Sequence, residues 1–234
     1  IFTSSYSDEF LANYFHFGVL NRPRSFDILF STPELLKQIT SLYVLIAETD
    51  HVLMKPLPNL AEESRPAGFD FGYMHANERQ NQIIRKYWPG GDYHKIDPVG
   101  PSPLMIHVDQ LRAITPLWLN FSLGLRSNKE AESVIQGWVQ EMWGYAIAAA
   151  SLGIKHRVVR DFQVEAGSLG RVADDFDQHA YIFHYTYGIE YTMQGTPQGI
   201  FQIGEWSLDK RHYGGSYPPR NLQEPPAGAN AAAF

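Results

Sequence analysis

The sequence predicts an α/β fold, and three observations predict it. Residues 43–47, Tyr-Val-Leu-Ile-Ala, form an uninterrupted apolar run with two β-branched members, the mark of a strand buried in a parallel sheet. Glu48 and Asp50 then end the run one residue apart, so that on extended backbone both carboxylates project to one side. A helical pattern precedes the run, and helix, buried strand and acid cluster in that order describe half of an α/β nucleotide-binding sheet, with its crevice at the carboxyl edge of the strands. Two hard oxygen ligands there suit Mg²⁺ or Mn²⁺ carrying a diphosphate. The alternative is an ordinary acid pair at a strand end, solvated or capping a helix.

A chain of 234 residues, 44% of them hydrophobic, buries one substantial core, so residues 1–215 are expected to form a single domain. The net charge of −6, with no basic run, argues against a nucleic-acid surface. Aromatic residues at 14% favour a pocket that stacks on rings or sugars. No apolar stretch reaches the roughly 18 residues of a membrane span, no signal sequence is evident, and the chain as given reads as soluble. With no cysteine there are no disulfides, zinc thiolates or thiol nucleophiles.

In chain order, residues 1–5 suit a first strand and residues 7–12 a short helix with an acidic first turn. A turn is expected over 19–26, then a helix to Thr40 whose apolar spacing is interrupted by Pro33. After the organising strand, residues 69–74 alternate as a strand and residues 77–87 read as a polar helix ending before Pro89-Gly90-Gly91. The Pro- and Gly-rich stretch 97–103 forms a loop that feeds a short strand at 104–108.

Residues 128–152 give the clearest helical signal, with Ser127 and Glu130 as a capping box and Gly153 as the stop. Glu141 shares a helical face with Gly137 and Gly144 and is flanked by Trp138 and Tyr145, which suggests a carboxylate over a hollow with aromatic walls. Its other reading is a surface acid. His184 follows an apolar strand-like run and is either a hydrogen-bonded core residue or the further metal ligand that two acids from one strand would need. Trp206 beside Lys210 and Arg211 suits a sugar platform next to a phosphate clamp. From residue 216 to 234 the Pro, Ala and Gly content indicates an extended tail.

Residues 43–61, 96–106, 137–150, 184–191 and 204–222 together closely resemble the hydroxyproline O-arabinosyltransferases of plants and green algae, a likeness that spans roughly residues 18–224. The resemblance implies a GT-A type nucleotide-sugar-binding fold, with a mixed, mostly parallel central sheet flanked by helices. It implies a retaining, metal-dependent transfer of L-arabinofuranose from UDP-β-L-arabinofuranose to peptidyl 4-hydroxyproline in hydroxyproline-rich cell-wall proteins or peptides. The setting it implies is the Golgi lumen, behind an N-terminal membrane anchor absent from this chain. It places Glu48 and Asp50 at the metal motif, with Glu where many GT-A enzymes have Asp, and His184 at the carboxyl-terminal metal histidine. Arg22 falls beside the nucleotide, Lys210 or Arg211 on the diphosphate, Glu141 towards the acceptor as the catalytic candidate, and Trp206, Tyr187 and Trp138 at acceptor or sugar platforms. The cation is Mn²⁺ or Mg²⁺. Two departures stand out: the chain looks shortened before Gly18, and residues 165–178 do not follow the family. Rival readings are another peptide galactosyl- or pentosyltransferase, or a carbohydrate-binding module without catalysis.

Overall fold

The structure, a computed structural model, describes residues 2–165, 176–199, 205–209, 220–221 and 223–229. Helix α1, Asp8–Ala12, starts at Ser7, whose hydroxyl accepts from the Phe10 N–H and whose acidic first turn suits the helix dipole. Helix α2, Asn21–Ser31, ends two residues before Pro33, which opens α3, Pro33–Leu36. Strands β1, Tyr43–Ile46, β2, His51–Leu53, and β3, Ala67–Phe69, follow. Helix α4, Glu78–Tyr87, begins at an Asn77/Gln80 capping box. Next come β4, Leu104–His107, and three helices: α5, Val108–Ser127, α6, Lys129–Val134, and α7, Gln140–Ser151. The chain continues through β5, Arg157–Val159, β6, Gln163–Glu165, α8, Phe176–His179, β7, Ile182–His184, and the hairpin strands β8, Glu190–Tyr191, and β9, Pro197–Gly199. This is an α/β protein with mixed sheets. Among the described residues no helix is long and apolar enough to cross a membrane.

The chain packs as two compact units. The first, Ile1–Ala47 with Asn59–Arg160, holds a sheet ordered β1-β4-β3-β5. Its pairing is antiparallel between β1 and β4 and between β3 and β4, and parallel only between β3 and β5, so the parallel share is smaller than expected. Strand β1 is not the parallel-sheet centre that its apolar run suggests; it stands at one end of the sheet, with Leu45 38% exposed. A continuous apolar run carries no period that separates a half-covered strand from a fully covered one. The large core residues Trp118, Trp143, Tyr145, Ile83, Ile84, Leu104 and Ile106 are almost wholly buried in this unit.

Several local expectations for the first unit need correction. Residues 2–7 form no strand, and residues 72–74 form a 3-10 turn after β3 ends. The turn expected over 19–26 is instead the start of α2, so Arg22 is helical. The long helix expected over 128–152 is broken: α6 stops at extended residues Ile135 and Gln136, and a 3-10 turn, Gly137–Val139, leads into α7. Its cap is Asn128, which accepts from the Glu130 and Ala131 N–H groups, while the Ser127 hydroxyl bonds back to the Leu123 carbonyl. No element was expected across α5. Its buried residues Leu111, Ile114, Thr115, Trp118, Phe121, Ser122 and Leu125 nevertheless repeat with helical spacing through Pro116.

The second unit, Glu48–Pro58 with Asp161–Phe234, is built on the sheet β2-β7-β6. Strand β7 is central, antiparallel to β2 and parallel to β6. Val164, Ala180 and Phe183 form its small core, with Met54, Tyr185, Tyr187 and Ile189 packed against them. The described part of the tail is not free of contacts: Pro226 is buried and the Gln223 carbonyl accepts from the Trp206 indole. A Cβ at Gly195, whose φ is +80°, would strike the backbone at Ala227 and Ala229. Lys210, Arg211, residues 166–175 of the divergent stretch and much of the expected tail lie outside the described residues.

Candidate functional site

In the second unit, residues 48–51 leave the extended backbone and close a tight turn, in which the His51 N–H donates to the Glu48 carbonyl at 3.1 Å. The alternation argument that puts Glu48 and Asp50 side by side therefore does not apply. The turn instead brings positions i and i+3 together: the Glu48 N–H donates to His51 Nδ1 at 3.3 Å. Strand β7 then delivers His184 directly opposite His51, with ring centroids 4.5 Å apart and nearly perpendicular. The Tyr185 N–H donates to the Asp50 carbonyl at 2.8 Å and pins the turn to β7.

Around the buried His184 ring, three carboxylates converge. Nε2 lies 3.7 Å from Asp50 Oδ1 and 4.0 Å from Glu48 Oε2, and Nδ1 lies 3.4 Å from Glu165 Oε1. Residues separated by about 130 positions thus lie within 4.0 Å of one ring. Glu48, His51 and His184 each present a donor atom, and the three atoms lie within 4.8 Å of one another. A cation with ligands at about 2.1 Å needs donors roughly 3 to 4.2 Å apart, so the spacings at His184 fit one. Mixed imidazole and carboxylate donors suit Mn²⁺ better than Mg²⁺. His51 and Glu165 were not expected here. The i, i+3 spacing of Glu48 and His51 was the available signal for the first; the second depends on strand register, which no local pattern encodes.

Glu141 belongs to the first unit, in the opening turn of α7, and is only 1% exposed. Its carboxylate accepts from Arg22 Nη1 at 3.3 Å, and its main-chain carbonyl accepts from the Trp118 indole at 3.2 Å. The glycines on its face are not open space: a Cβ on Gly144 would run into the Ser122 side chain and lie 2.9 Å from its backbone nitrogen, and one on Gly137 would come within 3.1 Å of the Arg126 guanidinium. Gly144 serves the close packing of α7 on α5. Of the expected aromatic walls, Tyr145 is buried against Trp118, while Trp138 is 57% exposed and leans on Tyr73 with centroids 4.9 Å apart. Trp206 is buried on Tyr191, and Tyr187 packs on the small core of the second unit.

Further side chains carry shifted protonation. In the first unit, burial alone would raise the Asp97 carboxyl, but hydrogen bonds from the His156 ring and backbone and from Lys155 outweigh it and hold the group at about 2. Burial pushes His156 below its ordinary range despite Asp97, and its Nε2 meets the Tyr145 hydroxyl at 2.8 Å. In the second unit, burial first and then Asp209 and Tyr191 push the Tyr185 phenol up to about 12.

Residues 1–158 match the N-terminal domain of the hydroxyproline O-arabinosyltransferase family, and residues 181–234 match that family's C-terminal domain. Hydroxyproline O-arabinosyltransferase NOD3 of Pisum sativum is 41% identical over 214 residues, which cover 90% of this chain and 60% of that protein. Hydroxyproline O-arabinosyltransferase 1 of Arabidopsis thaliana is 38% identical over 214 residues, covering 91% of this chain and 55% of the relative. A more distant similarity links the chain to the peptidyl serine alpha-galactosyltransferase of Arabidopsis thaliana, 28% identical over 178 residues, or 72% of this chain and 20% of that protein. The chain therefore spans little more than half the length of the arabinosyltransferases it matches. No solved structure matches it.

Proposed function

The chain belongs to the hydroxyproline O-arabinosyltransferase family, and from that premise we propose that it forms part of a GT-A type glycosyltransferase of the Golgi lumen. The reaction proposed is transfer of L-arabinofuranose from UDP-β-L-arabinofuranose to the hydroxyl of peptidyl 4-hydroxyproline, with configuration retained. The convergence of Glu48 and Asp50 on His184, at 4.0 and 3.7 Å, is the observation that carries the reading, because a diphosphate leaving group needs a cation held near it.

Glu48, His51 and His184, whose donor atoms lie within 4.8 Å of one another, with Asp50 beside them at 3.7 Å from His184, would hold the divalent cation, Mn²⁺ by the donor set, which when bound neutralises charge growing on the departing UDP. Arg22 is proposed to contact the nucleotide. Glu141, too buried to meet a peptide, is proposed to hold the Arg22 guanidinium in place. The acceptor attacks on the face the diphosphate leaves, and a β-phosphate oxygen of the donor takes the hydroxyl proton. That route suits retention in one active site without a covalent enzyme intermediate. Lys210 and Arg211 keep a diphosphate role on sequence alone. Trp138 has an open ring suited to a sugar or to an extended proline-rich acceptor.

Incubation with Mn²⁺, a panel of UDP-sugars and a hydroxyproline peptide tests this. The expected result is UDP release and a pentose-modified peptide with UDP-arabinofuranose only. Transfer from UDP-galactose instead would favour the reading supported by the 28% identical galactosyltransferase relative. No UDP from any donor would leave a carbohydrate-binding module and overturn the enzymatic reading.

A further inference from the structure

The three carboxylates around His184 do not all face the same ring atom. Glu48 and Asp50 approach Nε2, whereas Glu165 stands 3.4 Å from Nδ1, a buried atom that completes no hydrogen bond in this arrangement. We infer that Glu165 is a positioning residue: the nearest acceptor to the otherwise unpartnered His184 Nδ1, it takes the proton on that nitrogen once the ring turns to a cation, and so fixes the tautomer whose Nε2 lone pair faces Glu48. The inference rests on the metal-dependent reading of this site. It adds a residue that neither the acid motif nor the family match assigns.

Sheet register is what places Glu165. Strand β6 runs parallel to β7 with Gln163 beside Ile182, Val164 beside Phe183 and Glu165 beside His184. The Gln163 amide, on the same face two residues earlier, donates to Glu165 Oε1 at 3.0 Å and holds the carboxylate from behind. Gln163 is itself buried, so this support is shielded from water. A neutral imidazole has one N–H and one lone pair. Were the N–H turned to Glu165, the lone pair would point at the side where the other two acids stand. A carboxylate that accepts from the far nitrogen of a ligating histidine orients the ring and raises its basicity, and removing such a partner typically costs about 10- to 100-fold in metal affinity. His51, packed edge-on against the same ring, limits rotation from the other strand.

The test measures Mn²⁺ binding to the full chain without donor, by electron paramagnetic resonance titration, together with ¹⁵N shifts of the His184 ring nitrogens. Glu165→Ala is expected to weaken Mn²⁺ at least about tenfold and to mix the two tautomers. Glu165→Gln, which keeps an acceptor oxygen but loses the charge, should fall between Glu165→Ala and the parent chain and should keep the Nδ1–H tautomer. It also serves should the alanine variant fail to fold. Mn²⁺ affinity within twofold of the parent and an unchanged tautomer in both variants would overturn the inference, as would a parent chain that binds no Mn²⁺. The outcome is separate from the transferase assay. Arabinosyl transfer with Mn²⁺ affinity indifferent to Glu165 leaves the proposed function and removes this residue; Glu165-dependent Mn²⁺ binding without transfer does the reverse.

Discussion

The pair Arg22–Glu141 shows how one side chain sets another's role. A carboxylate 1% exposed keeps its charge only if a cation stays beside it, and Arg22, reaching from the first turn of α2, is 22% exposed at its own side chain. The buried acid therefore anchors a partly open guanidinium. Glu141→Gln is expected to raise the KM for the UDP-sugar roughly tenfold, the weight of one hydrogen bond to a charged group, and to cost about 2 kcal/mol of stability. Steady-state kinetics over donor and acceptor concentration check this; an unchanged donor KM with a fallen kcat would put Glu141 at the acceptor instead. In the sequence Glu141 stands out as an unusual charge inside a helical pattern, and around it Gly144 packs on Ser122 and Tyr145 on Trp118. Glycines three and four residues away record a close neighbour as readily as an empty space. Asp50 and His184 were legible because each ends an apolar run. His51 and Glu165 were not, since the first depends on a turn replacing a strand and the second on which strand lies alongside.

Among the elements, the crossing of α5 and α7 governs the first unit. Gly144 faces Ser122 with no room for a methyl group, and the Trp118 indole bonds the Glu141 carbonyl across the same contact. Replacing glycine by alanine in an exposed helix would add about 1 kcal/mol. Here overpacking costs about 1–3 kcal/mol, so Gly144→Ala is expected to lower the denaturant midpoint with an unchanged m-value. A raised midpoint would mean that the helices separate freely. Helix α4 was readable from its polar pattern and the stop at Pro89-Gly90-Gly91, although its Asn77/Gln80 capping box was not singled out. Helix α5 was passed over although its spacing is helical, and α7 was fused with α6 because propensity does not register the two extended residues at 135 and 136. Antiparallel pairing of β1 lay beyond reach for another reason: partner choice is a long-range property.

At the scale of the whole molecule, acid is the expected weak point. His156, lowered by burial, is neutral in the fold and takes a proton more readily when unfolded, so its contribution holds above the ordinary value of 6.5 and declines as the pH falls below it. Asp97, lowered from 3.8 to about 2, has the same sign: its stabilisation is present above 3.8 and is lost as the pH falls towards about 2. Both effects reinforce each other on acidification. Asp97→Asn is expected to cost about 2 kcal/mol near neutrality and to flatten the dependence below about pH 4, measured by urea unfolding across pH. An unchanged slope would show that Asp97 titrates alike in both states. The α/β class was apparent from composition and the order of patterns. The division into two units was not, because the chain enters the second at Glu48, leaves after Pro58 and returns at Asp161. The alignment of β6 with β7 carries a last consequence. Were β6 to slide by a single position, Val164 would stand where Glu165 now meets the imidazole, trading an acceptor for a methyl without any change in composition. An insertion of one residue before Gln163 is therefore a more damaging event for this cluster than many substitutions within it.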